Sequence, residues 1–120
     1  MSVSCEGFIG FTVTIKDGYI NHEDFSKYND FLDEHKEYDL WHCEEKVRFI
    51  VDGMNGLYAR LVFVKERLED CWTDGKDYFS LERPIIPENV YEELNRAYRE
   101  LCGKELNEAD IDYALWFHFT

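Results

Sequence analysis

The sequence predicts an α+β domain in which a mainly antiparallel sheet of about five strands carries two helices, in the order β-α-β-β-β-α-β. Three observations lead to this fold. Alternating apolar residues lie near both ends of the chain, two segments have helical apolar spacing, and Asp-Gly and Asn-Gly dipeptides in the middle favour a hairpin. At 120 residues and 14.4 kDa the chain has the size of one ordinary domain, so residues 1–120 are assigned to a single domain.

The first strand is predicted over residues 8–16 and the first helix over residues 22–37. Apolar residues alternate with small or polar ones along the strand, which is the period of a half-buried strand, and Asp17-Gly18 ends it. Asn21 is expected to cap the helix, because its side-chain oxygen can accept from a free backbone N–H. Helical apolar spacing then continues through Phe25, Tyr28, Phe31 or Leu32, and His35.

The middle of the chain favours a β-hairpin followed by a short strand. Residues 46–51 and 57–64 are rich in β-branched and aromatic side chains, and they flank the two turn-forming dipeptides. The second arm also fits a helix, because four apolar residues have helical spacing there: Leu57, Leu61, Val64 and Leu68. Its β-branched and aromatic content favours the strand. A further strand is predicted over residues 78–82, before Arg83-Pro84.

The last third of the chain predicts a second helix and a final strand. Pro87 suits the first helical position and Gly103 suits the C-terminal stop. The apolar stripe between them consists of Val90, Leu94, Ala97 or Tyr98, and Leu101. Apolar side chains then alternate over residues 111–119, which predicts a strand rather than a tail. Both helices are amphipathic, so we expect them to pack on one face of the sheet with their polar sides in solvent.

The chain is strongly acidic, and its charge is unevenly distributed. It has 26 Asp and Glu against 13 Lys and Arg, which gives a net charge of −13. Residues 1–45 carry 11 acidic and 3 basic residues, residues 46–86 carry 7 of each, and residues 87–120 carry 8 and 3. A field of one sign repels nucleic acid and anionic membrane but attracts basic protein surfaces. The expected partner is therefore a basic protein surface, such as that of a nucleic-acid-binding protein or complex, with no direct nucleic-acid or membrane binding.

The first predicted helix has an acidic face. Its carboxylates have the spacing i, i+3, i+4 and i+7, which places neighbours about 5–6 Å apart, close to the roughly 6–7 Å between successive phosphates of a nucleic-acid strand. The predicted partner-binding residues are these four and the acidic run that follows them, namely Asp30, Asp33, Glu34, Glu37, Asp39, Glu44 and Glu45. Trp41 is expected to be an aromatic anchor within this surface; the alternative is that it covers the edge of the core.

The charges of the second predicted helix differ from those of the first. Glu92, Arg96 and Glu100 follow one another at intervals of four residues, so opposite charges are neighbours on the helix surface. This pattern is typical of a solvated helix face without a partner.

No catalytic or metal-binding motif accompanies the charge. The cysteines are widely dispersed and are interpreted as free thiols, although their even number allows two disulfides: Cys5, Cys43, Cys71 and Cys102. The histidines, His22, His35, His42 and His118, lack the spacing of metal ligands, and no phosphate-binding loop or nucleophile elbow occurs. The chain is therefore predicted not to be an enzyme and to need no cofactor or metal; a Cys43–His118 pair is the catalytic alternative.

A small, acidic, aromatic-rich chain of this kind resembles, in composition and size, the anti-restriction and anti-CRISPR inhibitors encoded by phages. The resemblance implies a stoichiometric inhibitor whose acidic face occupies the basic nucleic-acid-binding surface of a defence nuclease complex. Immunity proteins that neutralise basic nuclease toxins are similar for the same electrostatic reason, and an acidic cytosolic protein without a charge-based partner is the third interpretation. No signal-peptide pattern opens the sequence, so a cytoplasmic location is expected, in the host cytoplasm if the chain is phage-encoded.

Overall fold

Five strands of the described chain form one antiparallel sheet, and two helices accompany it. The computed structural model describes residues 5–39, 46–52, 56–68 and 78–119. The strands are β1 (Cys5–Asp17), β2 (Val47–Val51), β3 (Tyr58–Leu68), β4 (Tyr78–Ser80) and β5 (Asp112–Phe119), and the helices are α1 (His22–Glu34) and α2 (Glu88–Cys102). Short 3-10 helices lie at Lys36–Tyr38 and Glu108–Asp110. The predicted α+β class and element order are confirmed.

The strand order is β2-β3-β1-β5-β4, so β1 is the central strand. Its pairing with β3 runs from Gly7 opposite Leu68 to Asp17 opposite Tyr58, which carries β3 beyond the predicted end at residue 64. The sequence does not indicate this extension, because the added residues are mostly polar and backbone pairing to β1 keeps them in the strand. β3 also pairs with β2, which confirms the predicted hairpin and makes the helical interpretation of its second arm wrong. β4 is shorter than predicted and pairs with β5 at the sheet edge.

Helix α1 begins as predicted but ends earlier. The Asn21 side chain accepts a hydrogen bond of 2.9 Å from the backbone N–H of Asp24, which confirms the cap. The helix ends at Glu34 rather than residue 37, because His35 has non-helical dihedral angles, φ −127° and ψ 68°. The following 3-10 helix turns the ring of Tyr38 onto that of Phe31, with the two rings almost parallel and their centroids 5.8 Å apart. Burial of Tyr38 therefore competes with continuation of the α-helix.

Helix α2 follows its predicted apolar pattern closely. Val90, Leu94 and Ala97 are buried, and Gly103 ends the helix with a φ of 75°. Pro87 lies at the N-cap, one position before its predicted place, because its ψ of 144° is extended. No helix in the described ranges is long and apolar enough to cross a membrane.

The two faces of the sheet have separate cores. One face packs against both helices, with Phe11, Phe49, Leu61 and Phe63 in contact with the cluster that contains Tyr28, Phe31, Val90 and Leu94. The opposite face buries Phe8, Val62, Val64 and Trp116, and the Phe8 and Trp116 rings stack at 5.5 Å. Both helices therefore lie on one side of the sheet, as predicted, and that side carries the acidic residues of α1.

Gly10 of β1 lies very close to the backbone of the neighbouring strand β3. A Cβ at Gly10 would overlap the carbonyl oxygen of Phe63, beside a bulge where the β1–β3 register shifts. We expect Gly10→Ala to lower the free energy of unfolding by about 3 kcal/mol, because the backbone on both sides is held by pairing. Urea denaturation followed by circular dichroism measures the loss.

Gly103→Ala is the matched control. A Cβ at Gly103 meets no atom within 4 Å, but the φ of 75° disfavours it, so the expected loss is about 1 kcal/mol. Equal losses in the two variants would contradict the steric origin of the Gly10 requirement.

Candidate functional site

The predicted acidic surface is largely present and open to solvent. All five of its described carboxylates are exposed: Asp30, Asp33, Glu34, Glu37 and Asp39. Among the described residues, the only Lys or Arg within ion-pairing distance of any of them is Lys36, whose Nζ lies 3.6 Å from Asp33. Most of this charge is therefore not neutralised by the protein itself. Trp41, Glu44 and Glu45 lie outside the described residues, so their assignment to this surface stays a prediction.

The arrangement of these carboxylates differs from the predicted one. Asp30, Asp33 and Glu34 lie on α1 at helical spacing, which places neighbours about 5–6 Å apart. Glu37 does not continue the row, because α1 ends before it and Glu37 belongs to the 3-10 helix. The predicted continuous i, i+3, i+4, i+7 face over residues 22–37 is therefore wrong at its last member. The row is interrupted because the chain turns Tyr38 inward, onto Phe31.

The turn at Tyr38 brings α1 and α2 together through polar side chains. The Tyr38 hydroxyl donates a hydrogen bond of 2.8 Å to Glu100 Oε2, across 62 positions of sequence. His35 Nδ1 lies 3.5 Å from Glu37 Oε1 and 3.7 Å from Glu100 Oε2. We call these four residues, His35, Glu37, Tyr38 and Glu100, the His35 cluster. It adds a carboxylate from α2 to the acidic end of α1.

Aromatic packing holds the His35 cluster in place. The His35 ring centroid lies 4.6 Å from that of Phe31, and Phe31 in turn meets Phe49 of β2 edge-on at 5.6 Å. Phe31 and Phe49 are buried, so the cluster is connected through rings to the sheet. The side chains of His35 and Glu100 remain 29% and 37% exposed. The cluster thus has a buried aromatic base and an open outer side.

The environment of Tyr38 keeps its hydroxyl protonated. Burial, together with the hydrogen bond to the Glu100 carboxylate, raises the pKa of Tyr38 to about 12, whereas Arg96 opposes the shift. A neutral tyrosine can donate to a carboxylate, but a tyrosinate would repel it. Tyr38 therefore acts as a donor that positions Glu100 at neutral pH.

Sequence reasoning missed Glu100 and the roles of His35 and Tyr38. Glu100 belongs to a helix whose charges alternate, so its spacing indicated only a solvated surface. Metal-binding patterns along the chain do not relate His35 to Glu100, because the two residues are far apart in sequence. The apolar spacing of the predicted first helix includes His35, and this pattern indicates that His35 faces the body of the protein.

A cavity of about 310 Å³ lies between the two helices and β1, and it is distinct from the His35 cluster. Its lining includes Lys27, Tyr28, Tyr98, Cys102 and Lys104. Cys102 is a free cysteine, and burial raises the pKa of its thiol, although the two lysines partly offset this effect. The environment therefore favours the thiol over the nucleophilic thiolate. Cys43 lies outside the described residues, so the alternative Cys43–His118 pair stays a prediction.

The raised pKa of Tyr38 predicts a loss of stability at alkaline pH. An unfolded tyrosine ionises near pH 10 and the folded Tyr38 near pH 12. The contribution of Tyr38 to the free energy of unfolding is therefore complete below about pH 10 and declines as the pH rises toward about 12. Tyr38→Phe should reduce this decline, and it should cost about 1 kcal/mol at neutral pH through loss of the bond to Glu100.

The measurement is urea denaturation of both proteins across this pH range. Tyr28 and Tyr78 also have raised pKa values, mainly through burial, so the wild-type decline includes their contributions and the difference between the proteins isolates Tyr38. Identical pH dependence in the two proteins would refute the assignment.

The chain was also compared with known proteins. No family model, no curated protein and no solved structure matches it. Its function is therefore inferred from its own residues and their arrangement.

Proposed function

We propose that this protein is a stoichiometric inhibitor whose acidic surface occupies a basic nucleic-acid-binding surface of a defence nuclease complex. The described part of this acidic surface consists of the five exposed carboxylates of residues 30–39 and the neighbouring Glu100: Asp30, Asp33, Glu34, Glu37, Asp39 and Glu100. Trp41, Glu44 and Glu45 are its further predicted members. The proposal rests mainly on one observation. Among the described residues, Lys36 is the only Lys or Arg that pairs with any of the five carboxylates between residues 30 and 39. Unpaired like charges held close together destabilise a protein slightly, so a partner that neutralises them gains from their arrangement.

The distribution of charge favours a basic partner over an acidic one. With a net charge of −13, the chain as a whole attracts cationic surfaces and repels phosphates. Two arginines of the neutral hairpin, Arg48 and Arg60, are paired in register with Val62 and Ile50, on the sheet face opposite the helices. Positive charge of the hairpin is thereby directed away from the acidic surface. The exposed carboxylates of α1 lie on the other side of the sheet, with the helices.

The acidic surface is also pre-organised. The backbone that carries Asp33, Glu34 and Glu37 lies directly beside Phe31 and Tyr38, both of which are buried. Binding would therefore order little backbone, which lowers the entropic cost of association. Three of the carboxylates on α1 have roughly the spacing of successive phosphates in a nucleic-acid strand. This geometry supports mimicry of nucleic acid on a surface of Lys and Arg.

Charge neutralisation on α1 tests the proposal. The variant Asp30→Asn, Asp33→Asn, Glu34→Gln removes three charges and leaves the His35 cluster intact. We expect its association rate with the partner to fall about tenfold at low salt and its dissociation rate to change much less, because exposed charges mainly steer encounter. The partner is first recovered by pull-down from nuclease-treated host lysate with a graded salt wash, and the rates are then measured by surface plasmon resonance.

The matched control is Glu88→Gln, Glu92→Gln, Glu108→Gln. These three carboxylates are exposed and lie outside the acidic surface, so the control has the same net charge as the test variant. A selective loss in the test variant, together with inhibition at one equivalent of a nuclease complex, is the expected result. Equal losses in both triples, or unchanged binding at low salt, would contradict the proposed surface. Recovery of a basic toxin instead would assign the protein to immunity.

A further inference from the structure

Three potential metal ligands converge in the His35 cluster. One donor atom each of His35, Glu37 and Glu100 lies within 4.8 Å of the other two. They come from three different segments: the end of α1, the 3-10 helix and α2. The convergence is therefore a property of the tertiary structure and involves a nitrogen donor as well as carboxylates.

The distances suit a bound metal better than direct hydrogen bonds. His35 Nδ1 lies 3.5 Å from Glu37 Oε1 and 3.7 Å from Glu100 Oε2, whereas an N–H···O hydrogen bond usually spans about 2.7–3.2 Å. In tetrahedral zinc sites the bonds to nitrogen and oxygen are about 2.0–2.2 Å, which separates neighbouring donor atoms by roughly 3.3–3.6 Å. The His35–Glu37 distance already lies in that range, and a small shift of the Glu100 carboxylate would bring the His35–Glu100 distance into it. The same shift would have to bring the two carboxylate oxygens closer, since they lie within 4.8 Å of each other.

Neighbouring groups hold and orient the donor atoms of the cluster. The Tyr38 hydroxyl donates to Glu100 Oε2 and leaves a second lone pair on that oxygen for a metal. The His35 ring packs against Phe31, which restricts the direction of Nδ1. Ligands of metal sites are commonly oriented by hydrogen bonds and packing of this kind. Glu37, by contrast, is 55% exposed, which leaves a route for entry from solvent.

We propose that His35 Nδ1, Glu37 and Glu100 bind one divalent transition-metal ion, with Zn²⁺ as the best fit and water as the fourth ligand. One imidazole and two carboxylates suit Zn²⁺, whereas Mg²⁺ and Ca²⁺ prefer oxygen donors alone. The bound ion would offset the charge of two carboxylates and join the end of α1 to α2. This inference does not depend on the proposed inhibitory function.

Zinc titration followed by imidazole NMR tests the site in the full-length protein. We expect the His35 imidazole signals, identified by their loss in His35→Gln, to change on addition of one equivalent of Zn²⁺ after treatment with a chelator. This readout reports His35 even if zinc also reaches a cysteine. Glu37→Gln and Glu100→Gln should each weaken the Zn²⁺ affinity measured on His35 at least tenfold.

Glu34→Gln is the matched control, because it removes an exposed carboxylate one position before His35 without removing a proposed ligand. The Zn²⁺ affinity of this variant should differ from that of the wild type by less than twofold. Glu37→Gln leaves the Tyr38–Glu100 bond in place, so it tests the site even if Glu100→Gln unfolds the protein. His35 signals that do not change on addition of Zn²⁺ would overturn the proposal. Equal weakening in Glu34→Gln and Glu37→Gln would also overturn it.

Discussion

The stacking of Tyr38 on Phe31 is the contact on which the arrangement of the acidic end depends. Tyr38 is 2% exposed and its ring is almost parallel to that of Phe31, so the chain gains an aromatic contact when α1 ends at Glu34. A continued helix would leave residue 38 on nearly the same face as Phe31 but about 10 Å further along the axis, too far for this ring contact. The same turn separates Glu37 from the carboxylates of α1 and brings the Tyr38 hydroxyl to Glu100. The buried Tyr38 ring therefore decides where Glu37 lies relative to the carboxylates of α1, and it joins the His35 cluster to α2.

The sheet separates the charges of the hairpin from those of the helices. Residues alternate between its two faces, and the β2–β3 register places Arg48 and Arg60 opposite the helix side. Arg48 is 2% exposed, and its guanidinium lies 5.1 Å from the centre of the Phe8 ring. Arg60 lies 4.0 Å from the ring centre of Tyr58. Aromatic rings thus hold these two hairpin arginines on the face opposite the helices, away from the exposed carboxylates of α1.

The acidic surface and the His35 cluster share residues but require different chemistry. A protein partner would be recognised by several exposed charges spread along α1, each of which contributes modestly and is sensitive to salt. A metal ion would be recognised by a few donor atoms whose directions are restricted by Phe31 and Tyr38. Glu37 and Glu100 belong to both the acidic surface and the His35 cluster. Occupation by a divalent ion would reduce the negative charge at one end of the surface and leave Asp30, Asp33 and Glu34 unchanged.

Features that depend on near neighbours along the chain can be predicted from the sequence alone. The period of β1, the Asn21 cap, the hairpin of β2 and β3, the Gly103 stop and the net charge all follow from local patterns, and the structure has each of them. The position at which α1 ends and the residues that lie beside His35 depend instead on tertiary packing. The end of α1 depends on space for the Tyr38 ring against Phe31, and the cluster depends on Glu100, which is 62 positions from Tyr38. Packing of α1 and α2 on the same sheet face brings these residues together, and no spacing within either helix encodes that contact.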